Sequence, residues 1–297
     1  MSKMAVQLQL KEGKVFVSSG DQPICEYQQA TTPRDGAHPC ANYIHPLFDF
    51  SGNPLTEDFP ADHLHHRGVF WAWHQLQVDE TPIGDGWMIE RFRWEVTKSE
   101  TLHQADGTAA LNVAVDWKSE DFQNGVVPVV REQTSMKFYP DQADLRQIDF
   151  DIRLVATQPN TRIGGSDDDK GYGGFSLRIK MPEDLTFESQ NGIQRPAYAT
   201  VPASPWLTFR GRFNGEKASS VTLLTHPQSA GYPQPWILRS KRSMQNPVWP
   251  GQTPVALSTD QPTRLRYRLL VHRDTAESDQ IEHWHRSYLA DADAAVV

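Results

Sequence analysis

The sequence predicts an all-β protein, a large antiparallel β-sandwich with a short C-terminal helix. Three observations carry that reading: long runs of period-two alternation, turn residues between the runs, and helical spacing in one place only. "RFRWEV" sets Phe92, Trp94 and Val96 against Arg91, Arg93 and Glu95. "LNVAVDW" aligns Leu111, Val113, Val115 and Trp117, and "IDFDIRL" aligns Ile148, Phe150, Ile152 and Leu154. "RLRYRLLVH" opposes Leu265, Tyr267 and Leu269 to Arg264, Arg266 and Arg268. Such alternation marks antiparallel strands with one face on a core and the other in water. "ADGT" at 105–108, "YPDQAD" at 139–144 and "EKASS" at 216–220 supply turns. The helical stretch is "DTAESDQIEHWHRSYLAD", with Asp274 or Thr275 as its cap and Ile281, Trp284 and Tyr288 at helical spacing. His283 and His285 of "HWH" point apart on a helix and do not suit a shared ligand role.

No repeat, low-complexity tract or linker divides the 297 residues, so one domain, 1–297, is expected. The net charge of −8 argues against a nucleic-acid partner, because phosphate binding needs a basic face. Two cysteines, Cys25 and Cys40, form neither a disulfide framework nor a CxxC pair, and are read as buried or idle thiols. No stretch approaches the ~18 apolar residues of a membrane span. Gln7, Gln9 and Lys11 interrupt any leader-like apolar run, so a cytoplasmic location is expected.

Chemistry concentrates in "DHLHHRGVFWAWHQ", residues 62–75, which holds His63, His65, His66 and His74 with Asp62, Arg67, Trp71 and Trp73. His63 and His65 form an HxH pair, which on a strand shares one face and suits zinc, iron or manganese. No HExxH occurs, and Val69 and Phe70 stand where a nearby glutamate ligand would be. A third ligand would have to come from His45, His74, Glu90 or His226. No cofactor is therefore expected, and the His63/His65 pair is the one place a metal would sit. For acid/base work, His66 followed by Arg67 pairs a proton carrier with an anion or hydroxyl holder, and Asp62 can fix a histidine tautomer. Nine tryptophans is a high number. Trp94 and Trp117 belong to a core, whereas Trp71, Trp73, Trp87, Trp206, Trp236 and Trp249 lie beside polar residues, as in a sugar-stacking cleft. Glu132 reads equally as a site carboxylate or a solvated one, and "IGGSDDDKGYGG" (163–174) as a solvated turn or a loop over a site. No G-x-S-x-G elbow, P-loop or dinucleotide fingerprint occurs.

The segments "HPLFDFSGNPLTEDFPADHLHHRGVFWAW", "DKGYGGFSLRI", "LTHPQSAGYPQPWILRS" and "MQNPVW" resemble, in that order, a bacterial domain family of unknown function labelled methane oxygenase PmoA. The likeness covers roughly residues 40 to 272, and its most specific part is the DHxHHR segment. More distantly, the chain is similar to the galactose mutarotase-like supersandwiches. That resemblance implies a supersandwich with histidines, an arginine and a carboxylate around a sugar on a concave sheet. By it, His66 and Arg67 match the motif's final pair, His63 and His65 its earlier histidines, and His45 the preceding "HP" strand. Lys170, His226, Trp236, Arg239 and Asn246 match the later motifs. The glutamate base of aldose 1-epimerases has no counterpart near the C-terminus, where only Glu277 is offered.

These readings converge on an enzyme acting on a sugar or sugar derivative by proton transfer: epimerisation, elimination or hydrolysis. His66 is the expected proton carrier, with His63, His65 or His45 as its counterpart. Arg67 and Arg239 hold the substrate, and Trp71 or Trp236 forms the stacking wall. Asp62, His74, Lys170, His226 and Asn246 complete the binding set. Two alternatives stand beside it: a non-catalytic carbohydrate-binding or sensing module, and a metal-dependent oxygenase or hydrolase. The expected partner is a small sugar, with no nucleic acid and no membrane.

Overall fold

The structure, a computed structural model, describes residues 5–30, 32–34, 37–214, 217–273 and 276–294. Asp274 and Thr275, expected to cap the helix, and Glu216, expected to open a turn, lie outside the described residues.

Fifteen strands build the two main sheets. They are β1 (Val6–Lys11), β2 (Lys14–Ser19), β3 (Gln22–Gln28), β4 (Tyr43–Leu47), β5 (Val69–Trp73), β6 (Phe92–His103), β7 (Ala109–Ser119) and β8 (Val130–Phe138). They continue with β9 (Leu145–Ala156), β10 (Gly173–Leu177), β11 (Thr186–Ser189), β12 (Gly192–Gln194), β13 (Trp206–Gly211), β14 (Ser219–Thr225) and β15 (Thr263–Arg273). A six-stranded sheet has the order β1-β2-β3-β4-β5-β10, and a nine-stranded sheet the order β6-β7-β8-β9-β15-β14-β13-β11-β12. The strand pairs are antiparallel, which makes this the β-sandwich that the alternation predicts.

Register explains the core. Phe150 pairs with Tyr267, and Ile148 with Leu269, so the apolar sets of β9 and β15 share the inner face. Opposite them, Trp71 of β5 stacks on Phe175 of β10 with centroids 6.0 Å apart, and Phe175 lies 4.6 Å from Tyr267 across the sandwich. Burying an aromatic such as Phe175 contributes about 1.5–3 kcal/mol. One apolar cluster runs through both sheets, and Cys25 and Cys40 lie in it as free, buried thiols.

The core also holds a carboxylate. Glu132 of β8 is neither a solvated residue nor part of an open site. It sits between the sheets, accepting hydrogen bonds from Trp71 Nε1 at 2.8 Å, Asn42 Nδ2 at 2.9 Å, Thr134 Oγ1 at 2.7 Å and Trp117 Nε1 at 2.9 Å.

The outer face of β15 departs from the wet face expected of it. Helix α1 (Ser278–Ala294) packs there through Ile281 and Tyr288, with Trp284 half-buried beside Trp206, Leu224 and Leu270. Arg266 and Arg268 are consequently enclosed, and Arg264 is partly covered. Arg268 bonds Asp149 at 2.6 and 2.8 Å and Asp291 of α1 at 3.1 Å, and Arg264 bonds Asp151 at 2.8 and 2.7 Å. The His283 and His285 rings part as expected, His285 turning inward to the Thr225 carbonyl at 3.1 Å. No helix among the described residues is long and apolar enough to cross a membrane.

Candidate functional site

The chemistry-bearing residues gather at the end of the six-stranded sheet, where β5 and β10 pair. The register Gly173↔Trp73 at one end of that pair sets Tyr172 beside His74. Leu177↔Val69 at the other end sets Arg178 beside Gly68 and the 62–67 segment. Gly68 is required at that junction: a Cβ there would stand 1.9 Å from the Ile44 carbonyl oxygen.

A hairpin brings in the next pair. Strand Gln75–Val78 turns through Asp79 and Glu80, both at positive φ (50° and 63°), into Thr81–Gly84. Two central residues at positive φ form the type I′ turn that two-residue hairpins favour. Leu76 pairs with Gly84, so the residues that flank the hairpin, His74 and Asp85, return to each other. His74 Nδ1 lies 2.9 Å from Asp85 Oδ2, and Asp85 Oδ1 accepts the Met88 amide at 2.8 Å. A carboxylate on Nδ1 orients the ring and leaves Nε2 as the atom offered outward. The 85–90 turn also presents Trp87, whose indole meets the His74 ring in a stack at 5.2 Å, the His66 ring edge-on at 6.2 Å and the Tyr172 ring at 5.5 Å.

The three clustered imidazoles adjoin Trp87 through His66. His63 stacks on His66 with centroids 4.6 Å apart, and His65 stands edge-on to both, 5.7 Å from His63 and 4.5 Å from His66. Burial, together with the neighbouring His65, His63, Arg178 and Arg67, drives His66 far below the ordinary imidazole range. Burial, then His63, Arg67 and His74, against the opposing Asp85, lowers His65 to about 4. Asp62 is pulled upward by its partial burial, but the charge and hydrogen bond of Arg178 outweigh that and hold it below the usual carboxylate range.

Arg178 is the fastening point. Its Nε meets Glu57 at 2.8 Å, its Nη2 meets Asp62 at 3.0 and 3.3 Å, and its Nη1 meets His66 Nδ1 at 3.1 Å. Beyond Tyr172 the rim is cationic and aromatic. Lys170 ion-pairs with Asp168 at 2.8 Å and lies over the Tyr172 and Tyr198 rings. Arg239 Nε donates to the Tyr172 hydroxyl at 2.9 Å, while its Nη atoms hold the Ala197, Leu238 and Tyr198 carbonyls. Tyr198 itself is 74% exposed.

Of the residues that the sequence singled out, this place unites Asp62, His63, His65, His66, His74, Lys170 and Arg239. The others stand elsewhere. Arg67 is 1% exposed and turned inward, its guanidinium between the Phe70 and Trp94 rings at 4.5 and 4.6 Å, with Nη1 on the His65 carbonyl. Its charge finds ring faces there instead of a ligand. His45 keeps its Nδ1 on Thr56 Oγ1 at 2.9 Å, and burial with Lys14 and Lys180 lowers it to about 4. Trp71 and Trp236 are sealed in the interior, tied to Glu132 and to the Ser204 carbonyl, and so form no open wall. Asn246 bonds the Gly173 and Phe175 carbonyls and serves the backbone of β10. His226 lies under α1, 5.3 Å from the Tyr288 ring. Asp85, Tyr172, Arg178, Glu57 and Tyr198 were not read as site residues from the sequence. The signal for Asp85 was the Val78–Thr81 hairpin, which "DE" in place of the usual Asn-Gly or Asp-Gly obscures.

For a metal, the donor set matters. Among the described residues no group of three or more His, Cys, Asp or Glu side chains is disposed to hold an ion. The guanidinium that faces His66 Nδ1 also favours a proton on Nε2, where a ligand needs a lone pair.

An imidazole cluster and a carboxylate-oriented histidine around one indole make the chain a β-sandwich protein with a built polar site. It belongs to a domain family of unknown function, DUF6807, which matches residues 14–285. A comparison with curated proteins finds no match.

Proposed function

We propose that the chain is a carbohydrate-active enzyme that moves a proton on a sugar or sugar derivative at the Trp87 site. The observation that carries this is the His74–Asp85 pair, in which His74 Nε2 makes no hydrogen bond among the described residues and is not sealed from solvent. A carboxylate-oriented imidazole of this kind is a general base. The exposed Tyr198 ring offers a surface for sugar C–H groups, and Lys170 beside it offers a donor to hydroxyl or carboxylate oxygens. The distant likeness to galactose mutarotase-like sandwiches supports the same substrate class. In this reading His74 is the proton carrier, in place of His66, because the buried His66 ring resists protonation.

The exposure of Tyr198 favours a second reading, a binding module without turnover. Wild type, His74→Ala and Asp85→Asn, assayed against neutral sugars and uronates for both binding and product, separate the two. Turnover lost in both variants with binding kept supports the enzyme. Binding by wild type with no product on the whole panel overturns it in favour of the module.

A further inference from the structure

We infer that Arg178 is a positioning residue that fixes His66 as its Nε2–H tautomer, so that the site sets a neutral hydrogen-bond donor across Trp87 from the His74 base. An arginine has no lone pair to offer, so the 3.1 Å contact between Arg178 Nη1 and His66 Nδ1 requires Nδ1 to accept. The ring proton then resides on Nε2. Among the described residues that atom makes no hydrogen bond, and it keeps some solvent-accessible surface. Glu57 and Asp62 take the other guanidinium nitrogens of Arg178 and leave it no freedom to turn away. The groups that face His66 are His63 and His65 of its own loop, Arg67 of the following turn, Arg178 after β10, and the Trp87 indole. None of them is an anion that would draw a second proton onto the ring.

The inference rests on the catalytic reading above and deepens it by naming the substrate class. A neutral donor opposite a base suits a sugar with a carbonyl oxygen beside an acidic C–H: an open-chain aldose or ketose, or a uronic acid derivative. His74 Nε2 takes the proton from the carbon. The C–H electron pair becomes the C=C bond of an enediolate, and the displaced carbonyl pair settles on the oxygen, facing His66 Nε2–H. His74 then delivers that proton to the former carbonyl carbon while the proton of the neighbouring hydroxyl passes to the oxygen facing His66, so an aldose becomes a ketose or the reverse, with no oxidant or reductant needed.

Long-range proton–nitrogen NMR of the wild type tests the tautomer directly. His66 is expected to show a protonated Nε2 and a bare Nδ1 at pH 7, and still to show them near pH 5. A proton on Nδ1, or an imidazolium at pH 7, overturns the inference whether or not any substrate is known. Arg178→Met, which removes the donor, should mix the tautomers, and Glu57→Gln, which loosens the same guanidinium from a more exposed position, should do so more weakly. An unchanged His66 spectrum in both also overturns it. On a sugar that turns over, Arg178→Met should lower kcat about tenfold or more with little change in KM, and wild type should exchange the carbon-bound hydrogen with deuterated solvent. A correct tautomer with no exchange on any carbonyl sugar overturns the enzymatic reading and the substrate class, and leaves the Arg178 lock standing as a structural feature.

Discussion

Trp71 Nε1 donates to Glu132 Oε1 at 2.8 Å, joining the six-stranded sheet to the nine-stranded one through a buried carboxylate. Three further donors converge on the same group. Burial raises Glu132 above the usual carboxylate range, while these hydrogen bonds oppose that rise. Removing the acceptor leaves two indoles and an amide without partners in a dry interior. Glu132→Ala is therefore expected to lower stability by about 3–5 kcal/mol. Glu132→Gln retains an oxygen for the three donors on Oε1 and opposes only the Trp117 donor, so its loss should be smaller, about 1–2 kcal/mol. Urea unfolding of the pair checks the order; equal losses would mean that the donors are not satisfied by this oxygen.

Arg67 should behave as a core residue. Its guanidinium carbon lies 4.5 Å from the Phe70 ring centre and 4.6 Å from that of Trp94, and a lysine ammonium, without a planar fork, does not fill that place in the same way. Arg67→Lys is expected to cost about 1–3 kcal/mol while leaving ligand affinity unchanged at subsaturating sugar. Stability equal to wild type combined with lost binding would return Arg67 to the site.

Acid should destabilise the fold well before the carboxylates titrate. Burial holds His45, His65 and His272 at about 4, below an unfolded value of 6.5. Between those values the unfolded chain binds more protons than the folded one, so their contribution to stability falls as pH drops from 6.5 towards 4, and His66, held lower still, carries the loss further down. The deeply buried His272, bonded to Thr222 Oγ1 at 2.8 Å, contributes at most about 3 kcal/mol to that loss. The urea midpoint measured from pH 7 to pH 4 should therefore decline. His272→Gln should make the decline shallower, and an equally steep profile in the variant would contradict this account.

The rim depends on Arg239. By binding the Ala197 and Tyr198 carbonyls it pins the segment that carries the exposed Tyr198. Arg239→Ala should speed amide exchange and proteolytic cutting around residues 195–200 with little change in global unfolding. Unaltered exchange there would show that the segment is held from elsewhere.

Much of the sandwich is legible in the residues themselves. Alternation in β7 and β9 names the inward side chains because a strand has period two, and no tertiary fact alters which residues share a face. The same rule places Leu265, Tyr267 and Leu269 on the core side of β15. It says nothing of what lies on the other side, which is why Arg266 and Arg268 read as wet until α1 is docked over them.

The sequence by itself determined the fold class, the terminal helix and the stretch where imidazoles crowd, because periodicity and local composition are properties of neighbours along the chain. Only the tertiary structure decided which of those side chains face one another. Asp85 reaches His74 through a hairpin register, and Arg178 reaches His66 through the pairing of two strands far apart in sequence. It also decided that Trp71, Trp236, Asn246 and Arg67 serve the interior. Pairing and burial are set by contacts between distant segments, and a side chain of a given type carries no mark of which segment it will meet.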